Sequence, residues 1–340
     1  MANASPILTQ YQPHIEREIQ AILAQRQGLL YDMMRRDLGW TDPGPTSNTI
    51  PPSLRIHGVL CLLTAKALSG GFDKALPAAS AVELVHLFSV VHKDFQDAVT
   101  ERDGKPSAWL AWGPGQAINL GDGLYALGRA ALFRLSDHGV PAGYVLNALE
   151  ALDKACLALC RGQYLDLSFQ EQMDVSLASY MKMAEAKSGA LLGCAMEMGG
   201  IVCGAEASTV NSLKACGQKL GIALQIRGDI LHVWGDQGGE SASAEVFNKR
   251  KVFPVVQLLD KSGVSIKKQL GAVYFKRVLE PHDVKAVLKV LEENKAKAAS
   301  QKVVEQNVAE AMEAVDDLSM PSSAREELRA LGHYITMMER

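Results

Sequence analysis

The sequence predicts an all-α protein, a single helical bundle with a functional cavity in its core. Three observations predict it. No run of alternating apolar and polar residues is long enough for a strand. Apolar residues recur at helical spacing, most clearly Leu84, Phe88, Val91 and Phe95. Two stretches, 79–102 and 224–234, are apolar enough to be buried yet carry His86, Lys93, Asp94 and Asp97 in the first, and Arg227, Asp229 and His232 in the second. Buried charges need partners, so they mark a site inside the bundle. No repeat or boundary splits the chain. Residues 1–340 read as one domain with its core over about 54–260 and a flexible 1–12.

The elements follow in order. Residues 13–38 read as one amphipathic helix, and 40–52, with four prolines and a glycine, as a loop. A helix over 54–68 stops at Gly70 and Gly71, the focal helix 79–102 follows, and 101–106 is a turn by composition. Residues 107–135 form a long helix rich in glycine. Each glycine costs about 1 kcal/mol in a helix interior, so close helix–helix approach is expected. A helix over 141–160, a break over 162–169 and a long helix over 170–204 come next. The last contains Met173, Met181, Met183, Met196 and Met198, which read as adaptable core. The second focal helix spans 206–234, a polar loop 235–251, and shorter helices 252–259, 284–291, 303–318 and 323–338.

Bulk composition is that of a globular protein, with 48% hydrophobic and 21% charged residues. A net charge of −3 gives no general basic field for nucleic acid. No charge-free apolar stretch reaches the ~18 residues of a membrane span, and the N-terminus lacks a signal-peptide pattern, so a cytoplasmic protein is expected. The six cysteines lie in apolar helical contexts and read as reduced core residues; Cys156 and Cys160, four apart, read as packing before metal binding.

Several residues stand out by spacing. Lys93 precedes Asp97 by four and can pair with it along the helix. Asp229 and His232, three apart, share a face and could bind a transition metal with Asp94 and Asp97 opposite. The run Lys249-Arg250-Lys251 is either a solvated loop or a phosphate site. Trp109, Trp112 and Trp234 are core residues or cation–π partners for a carbocation.

The order of these stretches resembles the trans-isoprenyl diphosphate synthase (polyprenyl synthetase) family and the class I terpene synthases on the same fold. The resemblance rests on Lys93-Asp94-Phe95-Gln96-Asp97 and Gly228-Asp229-Ile230-Leu231-His232, the two places of the family's D-D-x-x-D clusters, the second after Leu224-Gln225-Ile226. It rests also on Gly121-Asp122, Lys187-Ser188, Arg102-Asp103-Gly104 and the basic run 249–251, and covers about residues 54–254. It implies an isoprenoid-synthase-like bundle that binds an allylic prenyl diphosphate of C10–C20. Asp94, Asp97 and Asp229 would hold Mg²⁺, and Lys93 and His232 would join them in catalysis. Arg102, Lys187, Ser188, Gln225, Arg250, Lys249 and Lys251 would bind the substrate head, and Phe88 would help set the pocket floor, with Leu87 and His86 beside it. A homodimer is implied, or a heterodimer with a complete prenyl synthase.

Departures shape the functional expectation. Lys93 and Gly228 stand where the family has its leading aspartates, so a lysine point charge replaces one metal ligand. The acceptor-side basic run reads Pro52-Ser53-Leu54-Arg55, and the second arginine of the turn is Asp103. The expected function is therefore a terpene synthase, or a prenyltransferase that does not use isopentenyl diphosphate as its normal acceptor. A non-catalytic regulatory subunit is the alternative, and an ordinary chain elongator comes third.

Overall fold

The structure is a computed structural model that describes residues 6–40, 54–102, 104–172, 174–235, 249–276 and 278–338. Fifteen α-helices occur among the described residues. They are α1 (Pro6–Leu23), α2 (Leu29–Asp37), α3 (Ile56–Ser69), α4 (Leu76–Gln96), α5 (Ala108–Trp112), α6 (Pro114–Leu132), α7 (Ala142–Glu171) and α8 (Leu177–Ala184). After them come α9 (Ala190–Val202), α10 (Ala207–Trp234), α11 (Phe253–Lys261), α12 (Val264–Tyr274), α13 (Pro281–Glu293), α14 (Ala296–Asp316) and α15 (Ser322–Met337). The fold class is all-α, as expected. The only strands described are a two-residue ribbon, Glu101–Arg102 antiparallel to Lys105–Pro106, inside the expected turn.

Helix α4 is the centre. It packs on α6, α3, α1 and α9, while α10 lies along α9 and α14. Val82, Leu84 and Val85 of α4 are fully buried. The segment Asp73–Gln96 has the length and apolarity to cross a membrane, but that character is explained by its burial among neighbouring helices. The main core joins α1–α10 with α14 and α15; a smaller one gathers the end of α10 with α11, α12 and α13.

Several boundaries differ from the sequence reading. Residues 6–12 are helical, not flexible, because Leu8, Tyr11 and Ile15 lock α1 into the core. The helix expected over 13–38 breaks at Gly28, whose φ of 107° a side chain would resist. The helix expected over 107–135 divides at Gly113-Pro114. The break expected over 162–169 does not exist; α7 runs 30 residues through Gly162. Helix α12 was absent from the sequence reading. The loops expected over 41–52 and most of 235–251, together with Pro52, Ser53, Asp103 and Met173, lie outside the described residues.

Close approach explains Gly121, Gly123 and Gly128 of α6, though not Gly115. The ring of His92 occupies the space a Cβ on Gly121 would fill, and Gly128 lies against the Ala81 carbonyl of α4. Asp229 holds three elements together. Its Oδ2 accepts from Tyr180 OH of α8 at 2.6 Å and from the backbone N–H of Phe253, the first residue of α11, at 2.7 Å. Its Oδ1 accepts from Gln225 at 3.1 Å. A carboxylate at a helix N-terminus also complements the helix dipole. Asp229→Ala is expected to destabilise the fold by about 3 kcal/mol, because it strands two buried donors, and Tyr180→Phe by about 1 kcal/mol. Urea unfolding of both variants checks the order.

Candidate functional site

A cavity of about 460 Å³ opens between α4, α7, α10 and the segment joining α8 to α9. Its walls include Phe88, Leu159, Leu167, Leu191 and Leu224, and its polar lining includes Lys93, Lys187 and Arg250. The α8–α9 join is one turn of π-helix, Glu185–Gly189. This wider turn aims Lys187 and Ser188 into the cavity, the kind of place where π-turns recur. It can sit against α7 only because Gly162 has no Cβ: a side chain there would strike the Lys187 backbone. The glycine read as a break is a packing device.

The cations at this end are tied to carboxylates. Asp97 caps the C-terminus of α4 and pairs with Arg250, both side chains less than a tenth exposed. Lys93 Nζ stands 3.0 Å from Asp97 Oδ2, the predicted i,i+4 pair, although off the hydrogen-bond direction. Asp166, four residues beyond Gly162, accepts from Lys187 at 2.5 Å and faces Arg250 at 3.4 Å. Burial pushes the Asp166 carboxyl up, but Lys187 and Arg250 outweigh it and hold it below the usual carboxylate range. Lys93, Asp97, Arg250, Asp166 and Lys187 thus form one continuous network.

Asp94 faces elsewhere. It is buried and takes a bidentate pair from Arg102 of the small ribbon, and neither residue lines the cavity. Asp229 has both oxygens bound, as described above, and is a strut of the fold. Gln225 accepts from Ser188 at 2.8 Å and donates to Asp229, so it relays orientation between the π-turn and α10. His232 lies exposed on the cavity lining, a turn beyond Asp229. Of the basic run only Arg250 lines the cavity. Lys249 donates to the Lys276 carbonyl, and buried Lys251 lies 4.7 Å over the Tyr274 ring, with burial and Lys249 lowering its pKa to about 8. Phe88 lines the cavity and meets His92 edge-on at 4.8 Å.

These arrangements bear on the expected Mg²⁺. Among the described residues no group of three or more His, Cys, Asp or Glu is placed to hold a metal ion. Asp94 and Asp97 each face a cation, and Asp229 is spent on the fold. The donor set as built does not fit a magnesium cage, nor the Asp229–His232 transition-metal site. Gly228 clarifies one departure: a Cβ there would meet nothing within 4 Å, so close packing does not explain it. The position is open space in the cavity wall.

The tryptophans do not line the cavity. Trp109 donates to the Val99 carbonyl at 2.6 Å, Trp112 lies under Arg36, and Trp234 packs against the core. Cys156 is buried, with its thiol pushed up to about 12 by burial. Sequence reasoning missed Asp166, hidden by the expected break, and Tyr180, which carries no sequence signal. It also missed His57 and Glu83. Glu83, a carboxyl on the apolar face of the focal helix, was visible but unused.

The polyprenyl synthetase family pattern matches residues 45–291. A geranylgeranyl diphosphate synthase of Mycobacterium tuberculosis is 33% identical over 239 residues, 70% of this chain and 67% of that protein. A (2E,6E)-farnesyl diphosphate synthase of Mycobacterium bovis is 30% identical over 306 residues, 88% of this chain and 83% of that protein. Among solved structures, a polyprenyl synthetase from Streptomyces coelicolor superposes with a TM-score of 0.87 at 26% identity, covering 98% of this chain and 99% of that one. With the helical cavity and its cationic end, these matches lead to one conclusion: the chain belongs to the polyprenyl synthetase family of trans-isoprenyl diphosphate synthases.

Proposed function

We propose that this protein binds an allylic prenyl diphosphate of C10–C20, ionises it, and converts the allyl cation without isopentenyl diphosphate as its normal acceptor. The observation that carries this reading is the cavity itself, with Lys93, Lys187 and Arg250 gathered in its lining and leucine and phenylalanine walls beyond them. The three cations hold the diphosphate, and Asp97 and Asp166 fix where those cations point. As the C1–O bond breaks, the electron pair leaves with the diphosphate. Charge growing on the bridging oxygen meets cations already in place, the preorganisation that lowers such barriers most. The apolar walls keep water from the cation and orient the chain. Asp229, Gln225 and Ser188 position the π-turn.

The acceptor side supports the departure from chain elongation. Arg55, the one arginine kept of that run, is 2% exposed and committed to Glu16 at 2.7 Å and to the Leu38 carbonyl. Asp37, mostly buried, has its pKa pushed up to about 6 by burial against the pull of Arg36. The exposed Leu146 and Leu157 of α7 suit a homodimer face. One observation favours a second reading, a non-catalytic subunit paired with a complete prenyl synthase: each acid of the two clusters is already neutralised or spent on the fold.

The purified protein should release pyrophosphate from geranyl, farnesyl or geranylgeranyl diphosphate, with or without Mg²⁺, and added isopentenyl diphosphate should yield no longer chain. No release from any of the three turns the account to the partner-subunit reading. Lys187→Ala and Arg250→Ala should each lower kcat by about 10²-fold, the scale of losing one preorganised donor. Asp97→Ala, which removes the shared partner of Lys93 and Arg250, should lower kcat by a comparable factor while circular dichroism stays native. Unchanged turnover in Lys187→Ala, Arg250→Ala and Asp97→Ala would sink the assigned site.

A further inference from the structure

A second polar group lies in the same cavity, away from the cations. His57 of α3 and His86 of α4 both line it, and their rings stack with centroids 4.2 Å apart. His86 is seven residues before Lys93 on α4, so it sits about 10 Å down the helix at ~1.5 Å per residue. Behind the pair stands Glu83, fully buried. Its Oε1 accepts from the Gly58 N–H at 2.7 Å and faces His57 Nδ1 at 3.8 Å, and its Oε2 has no hydrogen-bond partner. The nearest other charges, Arg55 and Glu16, are paired with each other. Burial raises the Glu83 carboxyl against the pull of Arg55. Burial lowers both histidines, His86 to about 4 with Arg102 and Arg55 adding to it, so both imidazoles are neutral near pH 7. An under-bonded carboxyl and two imidazoles cost desolvation where leucines would cost none, and such groups call for an explanation.

We propose that His86 is the proton acceptor that ends the reaction at the tail end of the cavity, with His57 and Glu83 as its positioning residues. This rests on the ionising reading above. After the C1–O bond breaks and diphosphate takes the electron pair, a distal double bond of the chain gives its π pair to C1. That closes a ring and moves the positive charge to the tail carbons. His86 then takes a proton from a carbon next to the charged one, and the C–H pair becomes a new C=C bond. The products are a cyclic hydrocarbon and pyrophosphate, and the imidazolium returns its proton to water when the hydrocarbon leaves. Stacking on His57 fixes the ring, and Glu83, beside His57, stabilises the transient positive charge.

The test is product analysis with farnesyl diphosphate, reading pyrophosphate release and hydrocarbon composition together. The wild type should give a deprotonated cyclic hydrocarbon. His86→Phe keeps an aromatic ring in the stack, and among the products it forms the ratio of hydrocarbon to water-quenched alcohol should fall by about 10²-fold, the lower end of general-base contributions. Glu83→Gln keeps the shape and the Gly58 bond, and should shift the same ratio in the same direction by less. Should both variants release pyrophosphate with an unchanged product profile, His86 is not the base and only this inference falls. Absence of release from the wild type overturns the ionising reading, and this inference with it.

Discussion

The Asp97–Arg250 ion pair is the contact on which the site depends. Asp97 ends α4, the central helix, and Arg250 belongs to the segment leading into α11. Arg250 also faces Asp166 of α7, which holds Lys187 of the π-turn. One buried pair therefore sets the spacing of four elements around the cavity mouth. Such pairs contribute little net stability, because desolvation offsets attraction. Breaking one leaves a buried charge without its partner, which costs far more. The pair is better understood as setting the geometry of the mouth than as holding the fold together.

Charge pairing gives the site its character. Lys93, Lys187 and Arg250 are paired with Asp97 and Asp166 at this end of the cavity, and Asp229 also lines it. Under the proposed function, an incoming diphosphate would meet cations whose positions are already set, rather than a pocket of bare carboxylates that need metal ions to accept an anion. Lys93 is central to this: the residue that replaces a metal-ligating aspartate also pairs with the aspartate that remains. Gly228, across the cavity on α10, leaves open the volume where a second such carboxylate would stand. The same helix uses Asp229 to hold α8 and α11, so the surviving acid of the second cluster serves the scaffold.

The helical class, the two focal helices and the Lys93–Asp97 pair were legible because they follow from local periodicity. The family resemblance drew attention to Lys187, Ser188 and Arg250, and all three line the cavity. What stayed hidden depended on long-range packing. Gly162 reads locally as a helix breaker, yet it lets the π-turn approach α7, and misreading it concealed Asp166 four residues on. The three lysine and arginine residues at 249–251 look equivalent in sequence; only the path of the chain sends Arg250 inward and Lys251 toward Tyr274. Asp229 looks like a ligand until Tyr180 and the α11 N-terminus, 49 and 24 residues away, claim its oxygens. The tryptophans are near the clusters in sequence and turn away from the cavity in space.

If side-chain cations rather than metal ions hold the substrate head, a non-ionisable farnesyl thiodiphosphate should bind equally well in Mg²⁺ and in chelator. Calorimetric titration under both conditions reads this without turnover. The same affinity in both is expected; binding that disappears with the chelator would show instead that the carboxylates release their cations to hold metal.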